Sequence, residues 1–281
     1  MVNINGEFFS DTDAKLSIDN RGFNYGDALF ETIKVFDNKV LFWEDHYFRL
    51  MASMRIMRME IPMNFTMEFL EEQILNTVSD LVGSDNGARV KLIVYRNSGG
   101  YYLPSDNTVG FMVKTYKIDS GLYALNERNY VIDLYKDHYV LCGLLSTLKT
   151  TNRILNVTGS IYAKENGFEN CLLLNEKKHI VEALNGNIFL VKDNKVRTPS
   201  LDSGCIKGVM RKQVMEIIKS LPDLDLVEDD ISPFELQKSD EIFITNVISG
   251  IISVSKYRKK DYHTKAAKTV IAKLNMKLRL A

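Results

Sequence analysis

The spacing of apolar and polar residues changes several times along the chain, and each change marks a predicted element. Residues 28–43 read as two strand-like segments around Asp37-Asn38, a pair whose side chains suit a tight turn. From Glu44 the period lengthens. His46, Arg49, Leu50, Met54, Met57 and Arg58 fall on related faces of a helix that ends before Pro62. Phe65 to Val82 reads as a second helix, with Phe69, Ile74, Leu75 and Val78 as its apolar stripe. Strands are predicted at Ala88–Arg96 and Val109–Tyr116, separated by the Ser98-Gly99-Gly100 loop.

Residues 117–128 carry Gly121 among polar neighbours and read as a linker. Beyond it the pattern predicts a strand at Val131–Tyr135, a helix from about Asn152 to Asn166, and strands near 170–174, 178–183 and 187–191. A helix begins around Val209, strands follow at Glu241–Thr245 and Ile251–Val254, and a basic amphipathic helix closes the chain from Thr264 to Leu280. We read that last helix as a solvated Lys/Arg face over a packed apolar face rather than as a membrane helix. No internal repeat is present. The fold class is α/β, mixed α+β, with a smaller N-terminal domain over 1–116 and a larger C-terminal one over 129–281.

Length and charge narrow the choice of function. A chain of 281 residues suits two domains or one large one. Its 45% hydrophobic and 26% charged residues are ordinary for a globular protein. Lys plus Arg is 36 and Asp plus Glu is 36, and this balance argues against a nucleic-acid partner, whose phosphates need neutralising. A local basic cleft for a small anion stays open. Cys142, Cys171 and Cys205 are odd in number and far apart, so neither a disulfide framework nor a metal site is suggested. No basic leader precedes an apolar run, and no apolar run is long enough to span a bilayer. The expectation is a soluble protein of a reducing cytoplasm, without a membrane partner.

Four places could carry chemistry, and each has a plainer reading beside it. Gly208 precedes a predicted helix, where a small residue and the first-turn N–H groups of Val209 and Met210 could seat a phosphate, or simply make a loop-to-helix turn. Lys149 follows the apolar run around Leu144, Leu145 and Leu148. Burial there would disfavour its ammonium and make the amine a better nucleophile toward an aldehyde, although a surface lysine beside a helix cap is the default reading and spacing alone does not promote the other. Glu182 ends a predicted strand and could pair with a ring nitrogen, or merely flank a turn. Arg49 could clamp a phosphate with its fork of donors or lie solvated on its helix. His46, His138, His179 and His263 lack partners at triad or metal spacing and read as structural.

The order of these pieces resembles the class IV pyridoxal-phosphate enzymes, which include branched-chain and D-amino-acid aminotransferases and 4-amino-4-deoxychorismate lyase. The run from Arg21-Gly22 through Gly26-Asp27 to Phe30-Glu31-Thr32 is similar to their opening segment, and His46 with Arg49-Leu50 to their first helix. Lys149, then Glu182 with Asn187-Ile188-Phe189, then Gly208-Val209-Met210-Arg211, then Asp240 to Asn246 follow in family order. The resemblance runs from about residue 3 to 254. It implies a fold-type-IV enzyme, similar to D-amino-acid aminotransferase, with the cofactor between two α/β domains of a homodimer. Lys149 would hold pyridoxal phosphate as a Schiff base and shuttle the substrate α-proton. Glu182 would pair with the ring nitrogen. Arg49, Gly208 and the N–H groups of Val209 and Met210 would hold the phosphate, with Asn246 as a further contact.

Departures from the family pattern bear on the reaction. Aminotransferases of the class usually carry threonine where Met210 and Val247 stand, and both hydroxyls are absent here. Branched-chain enzymes typically have tyrosine where Ile154 stands, and D-amino-acid enzymes have an Arg-x-His trap where this chain has Asn97 to Tyr102. The spelling around Lys149, Asn152 and Arg153, and the hydroxyl of Thr32, look like the lyases. Elimination of pyruvate from aminodeoxychorismate is therefore the leading expectation, with Lys91 and Arg96 as candidate carboxylate partners. A branched-chain or D-amino-acid transaminase is the runner-up, and a catalytically silent dimeric relative is a third reading.

Overall fold

The structure is a computed structural model that describes residues 1–79, 87–118 and 121–280. The chain divides into two compact units, Met1–Gly121 with Lys149–Asn152, and Leu122–Leu148 with Arg153–Ala281.

The first unit holds β1 (Val2–Ile4), β2 (Glu7–Phe9), a one-turn helix α1 (Arg21–Asn24), β3 (Ala28–Phe36), β4 (Lys39–Val40), helices α2 (Trp43–Ile56) and α3 (Met67–Val78), β5 (Gly87–Arg96) and β6 (Val109–Ile118). Its sheet runs β2-β1-β6-β5-β3-β4, and every pair is antiparallel. Asp37 and Asn38 both take left-handed backbone, φ 52° and 54°, the geometry that a two-residue hairpin turn requires. Alternation along β3 buries Leu29, Glu31, Ile33 and Val35 on one face. Helix α3 begins later than its apolar run suggests, because Thr66 caps it and accepts from the Phe69 N–H at 3.1 Å. Its buried stripe is Leu70, Ile74, Thr77 and Val78, which replaces Phe69 and Leu75 of the expected one. The predicted extension over 80–82, and positions 119–120 of the predicted linker, lie outside the described residues.

The second unit holds β7 (Val131–Val140), α4 (Ile154–Glu165), β8 (Asn170–Asn175), β9 (Ile180–Ala183), β10 (Asn187–Lys192), β11 (Lys195–Pro199), α5 (Val209–Lys219), β12 (Asp225–Asp229), α6 (Phe234–Lys238), β13 (Glu241–Asn246), β14 (Gly250–Ser253), β15 (Lys256–Tyr257), β16 (Lys260–Asp261) and α7 (Lys265–Leu280). Two five-stranded sheets form, in the orders β12-β11-β10-β13-β14 and β16-β15-β7-β8-β9. Ile132, Leu172, Ile180, Ile188, Ile242 and Ile244 belong to one buried cluster that joins them. Helix α7 buries Ala266, Ala267, Val270, Ile271 and Leu274, as its amphipathic pattern predicts. Glu241 caps that helix, accepting from the N–H groups of Ala266 and Ala267 at 2.8 and 2.7 Å. The strands β11 and β12 were not expected. The first ends in proline, and the second is a charged, largely exposed edge that reads as loop. Among the described residues no helix is long and apolar enough to cross a membrane.

Candidate active site

In the first unit, residues 149–152 fill an open sheet edge. Strand β4 pairs only with the far end of β3, at Val35 and Phe36. Alongside the near end, the Phe30 N–H donates to the Lys149 carbonyl at 2.8 Å and the Thr151 N–H to the Ala28 carbonyl at 3.0 Å. The Thr151 hydroxyl and the Asn152 amide both donate to the Gly26 carbonyl, at 3.2 and 3.1 Å. Gly26 sits at φ 64°, and a Cβ there would lie 2.2 Å from Asn152 Oδ1, so glycine is needed for the segment to dock. Lys149 is thereby level with Phe30, and its Nζ stands 4.1 Å from the centre of that ring. The partly apolar surroundings expected for this amine are supplied by an aromatic face.

On the same face, one rung along, Thr32 pairs with Lys91, which in turn pairs with Lys114. The Lys91 amine lies 5.1 Å from the Phe30 ring centre. Burial lowers its pKa, and the neighbouring Arg89 charge lowers it further. Thr32, Lys91 and Lys149 are thus brought together. Arg96 is not among them, and its expected role as a carboxylate partner is corrected. Its side chain is buried, with Nε on Asp27 at 2.9 Å, Nη1 on Asn107 Oδ1 at 2.6 Å and Nη2 on the Met57 carbonyl at 2.7 Å. A guanidinium committed to these acceptors ties β5 to the end of α2.

The opposite face of β3 carries an ionic cluster that sequence reading missed. Glu31 is 2% exposed and receives Arg49 through Nε at 2.8 Å and through Nη2. His46, wholly buried, shares with Arg49 Nη2 the same carboxylate oxygen, Nδ1 to Oε2 at 2.7 Å. Burial alone would raise the Glu31 pKa, but the Arg49 charge and the His46 hydrogen bond pull it down to about 2. An ionised carboxylate only accepts, so Nδ1 carries the proton. Burial lowers the His46 pKa despite Glu31, which favours the neutral ring. The signal was present in the sequence: an acid at an inward position between Leu29 and Ile33 must find partners. His46, one turn before Arg49, supplies one of them. Arg49 is therefore neither solvated nor loosely held.

In the second unit, Glu182 is 6% exposed on β9. Its Oε2 accepts from the Ile206 N–H at 2.9 Å and faces the Asn187 amide nitrogen at 3.5 Å. Arg153 lies within its electrostatic reach. Burial lowers the arginine's pKa and the Glu182 charge opposes that, while its Nη2 donates to the Leu148 carbonyl at 2.6 Å. Gly208 begins α5 as an N-cap without a side chain, so the first-turn N–H groups, those of Val209 and Met210 included, receive no side-chain cap. Both of those side chains are buried. Asn246 uses its Oδ1 to accept from the N–H groups of Ile248 and Ser249 at 3.1 and 2.8 Å, so it closes a turn. Arg211 donates to the Pro199 carbonyl at 2.9 Å and to Glu228 at 2.6 Å, which makes it an anchor of α5. The thiols stand apart from this chemistry, and burial pushes Cys171 to about 11 and Cys205 to about 12. Among the described residues no cluster of three or more His, Cys, Asp or Glu could hold a metal ion.

The same arrangement of elements occurs in known enzymes. The chain superposes on 4-amino-4-deoxychorismate lyase from Pseudomonas aeruginosa with a TM-score of 0.83, 26% identity and 99% coverage of both chains. It superposes on the branched-chain aminotransferase of the thermophilic archaeon Thermoproteus uzoniensis, solved with norvaline, at a TM-score of 0.85 and 22% identity, over 99% of this chain and 97% of that one. These likenesses define a fold-type-IV architecture. In sequence it is 26% identical to a putative branched-chain-amino-acid aminotransferase of Methanocaldococcus jannaschii over 287 residues, 99% of this chain and 95% of the relative. Residues 28–257 match the family described as amino-transferase class IV, and the chain belongs to that family.

Proposed function

We propose that this chain is a pyridoxal-phosphate enzyme that eliminates pyruvate from 4-amino-4-deoxychorismate to give 4-aminobenzoate. Class membership makes it a transaminase or a lyase dependent on that cofactor. The residues present fit the group. Glu182 is a buried acceptor for a protonated ring nitrogen, and the start of α5, which has no side-chain cap, offers N–H donors to a phosphate. Pyridoxal phosphate, when bound, supplies an aldehyde for the substrate amine and a ring that draws electron density from the adjoining carbon.

The chain's own residues would divide the remaining work. Lys149 Nζ would hold the cofactor covalently and then, once released by the substrate amine, take the substrate proton. Glu182 would keep a proton on the ring nitrogen. Arg49, with its plane fixed by Glu31, would be a phosphate contact; the N–H groups of Val209 and Met210 would likewise donate to the phosphate, and Asn246 would act through the turn that it closes. Thr32 would offer a hydroxyl to the substrate and Lys91 an ammonium to a carboxylate.

The observation that carries the lyase reading is the Thr32–Lys91 pair on the face that bears Lys149. Aminodeoxychorismate has two carboxylates for such cations. A branched aliphatic side chain would instead press on a half-buried ammonium and gain nothing from it. A transaminase is the second reading, favoured by the likeness to the archaeal aminotransferase over nearly the whole chain. The assay is direct. With aminodeoxychorismate alone the enzyme should release pyruvate and aminobenzoate without an amino acceptor. Faster glutamate formation from branched-chain or D-amino acids with 2-oxoglutarate would sink the lyase reading. Lys91→Met should lower kcat/KM for aminodeoxychorismate roughly 10–100-fold, as expected for one lost charged hydrogen bond, with the cofactor absorbance unchanged.

The working form is proposed to be a homodimer. Ile154, Val157 and Ile161 form an exposed apolar stripe on α4, each more than half exposed. Val157→Glu with Ile161→Glu should shift a dimer to monomer in size-exclusion chromatography with light scattering. A wild-type protein that runs as a monomer would refute this.

A further inference from the structure

We infer that Asn187 is a positioning residue that sets the spacing between the Glu182 carboxylate and the start of α5, and so between the ring-nitrogen and phosphate contacts of the cofactor. The inference rests on the pyridoxal-phosphate reading above. Asn187 opens β10 and is 5% exposed. Its Nδ2 donates to the Ile206 carbonyl at 2.9 Å and faces Glu182 Oε2 at 3.5 Å, while the Ile206 N–H donates to that same Oε2 at 2.9 Å. One amide nitrogen therefore bridges the carboxylate and the peptide two residues before Gly208.

The orientation of the Asn187 amide is forced. Turning it over would set Oδ1 against a carbonyl and a carboxylate, three acceptors with no proton among them. With Nδ2 held inward, Oδ1 faces the helix start, 2.0 Å from where a Cβ on Gly208 would stand. Gly208 has φ −69° and ψ 136°, a backbone open to any residue, so its glycine is required by the Asn187 side chain and not by the turn. The two residues form a matched pair: the amide supports Glu182 only because the missing Cβ leaves it room.

The test uses pyridoxamine 5'-phosphate, which binds without a covalent bond to Lys149, titrated by calorimetry into cofactor-free protein. Asn187→Ala should weaken binding about tenfold or more, since it strips a donor from two buried acceptors. Gly208→Ala should weaken it by a similar factor. The double variant should bind no more weakly than Asn187→Ala alone, because the added methyl no longer meets Oδ1. Asn187→Ala placed on Glu182→Gln should cost less than about threefold, since the carboxylate it supports has gone. The milder Asn187→Ser, with melting temperatures for each variant, separates lost positioning from lost folding. Losses that multiply independently in both double variants, or that track melting temperature alone, would overturn the inference while leaving the cofactor reading intact. A wild-type protein that fails to bind the probe would overturn the cofactor reading and this inference with it.

Discussion

Replacing Lys149 by alanine will abolish the borohydride-reducible visible band of the purified protein and cut turnover by at least about a thousandfold. General-base catalysis alone contributes roughly 10²–10⁴-fold, and on the proposed reading the variant also loses the amine that would hold the cofactor covalently. The fold should survive. The segment 149–152 is fixed to β3 through main-chain bonds to Ala28 and Phe30, together with contacts from Thr151 and Asn152 to Gly26, none of which involves the lysine side chain. Melting should therefore shift little, which separates lost chemistry from lost structure. The measurement is an absorbance spectrum before and after borohydride, followed by peptide mapping. If the variant still yields a reduced cofactor–lysine peptide, the covalent role belongs to another residue. Lys91 is the one to examine, because its amine lies over the same Phe30 ring.

Elements with a repeating physical signal were legible from residues alone. The hairpin at Asp37-Asn38 follows from two residues that tolerate left-handed backbone. Helix α7 follows from its apolar face, and β8 from a wholly buried run. The strands at Lys195–Pro199 and Asp225–Asp229 gave no such signal: the first is short and ends in a proline, and the second is a sheet edge whose exposed positions are free to carry acids. The site divided in the same way. Lys149 and Glu182 were singled out as candidates by their order along the chain, and their surroundings were not legible there. That Lys149 faces an aromatic ring depends on strand register, which only pairing across β3 supplies. Arg96 was misread because strand alternation gives a side chain's face and says nothing of its acceptors. Asp27, Asn107 and the Met57 carbonyl are separated from it in sequence by up to 69 positions. Glu31 was read only as part of a motif, although an acid in an inward register is itself a demand for buried partners.

That buried acid leads to the second large effect. Glu31→Gln should destabilise the protein by about 3–5 kcal/mol, the scale for breaking one partner out of a buried ion pair. Arg49 would keep its charge, 11% exposed, against a neutral amide. The new NH₂ would also point a donor at an N–H of His46, forcing that ring to change tautomer. The pH dependence has a definite sign. Glu31 has its pKa depressed to about 2 from 4.5, so its contribution is fully present above about 4.5 and is lost as pH falls toward 2. His46 acts in the same direction, because burial depresses its pKa below the usual 6.5 and acid favours the unfolded chain, where the ring protonates freely. For wild type, thermal melting should therefore begin to fall below pH 6.5 and fall more steeply between pH 4.5 and 2. The Glu31 part alone amounts to roughly 3 kcal/mol, several degrees of melting temperature. Glu31→Gln should start lower and run flatter through the acid range, with its affinity for pyridoxamine 5'-phosphate reduced because the Arg49 plane is no longer fixed. Parallel acid limbs for wild type and variant would show that Glu31 is not the titrating group. A variant with unchanged affinity would separate Arg49 from the phosphate.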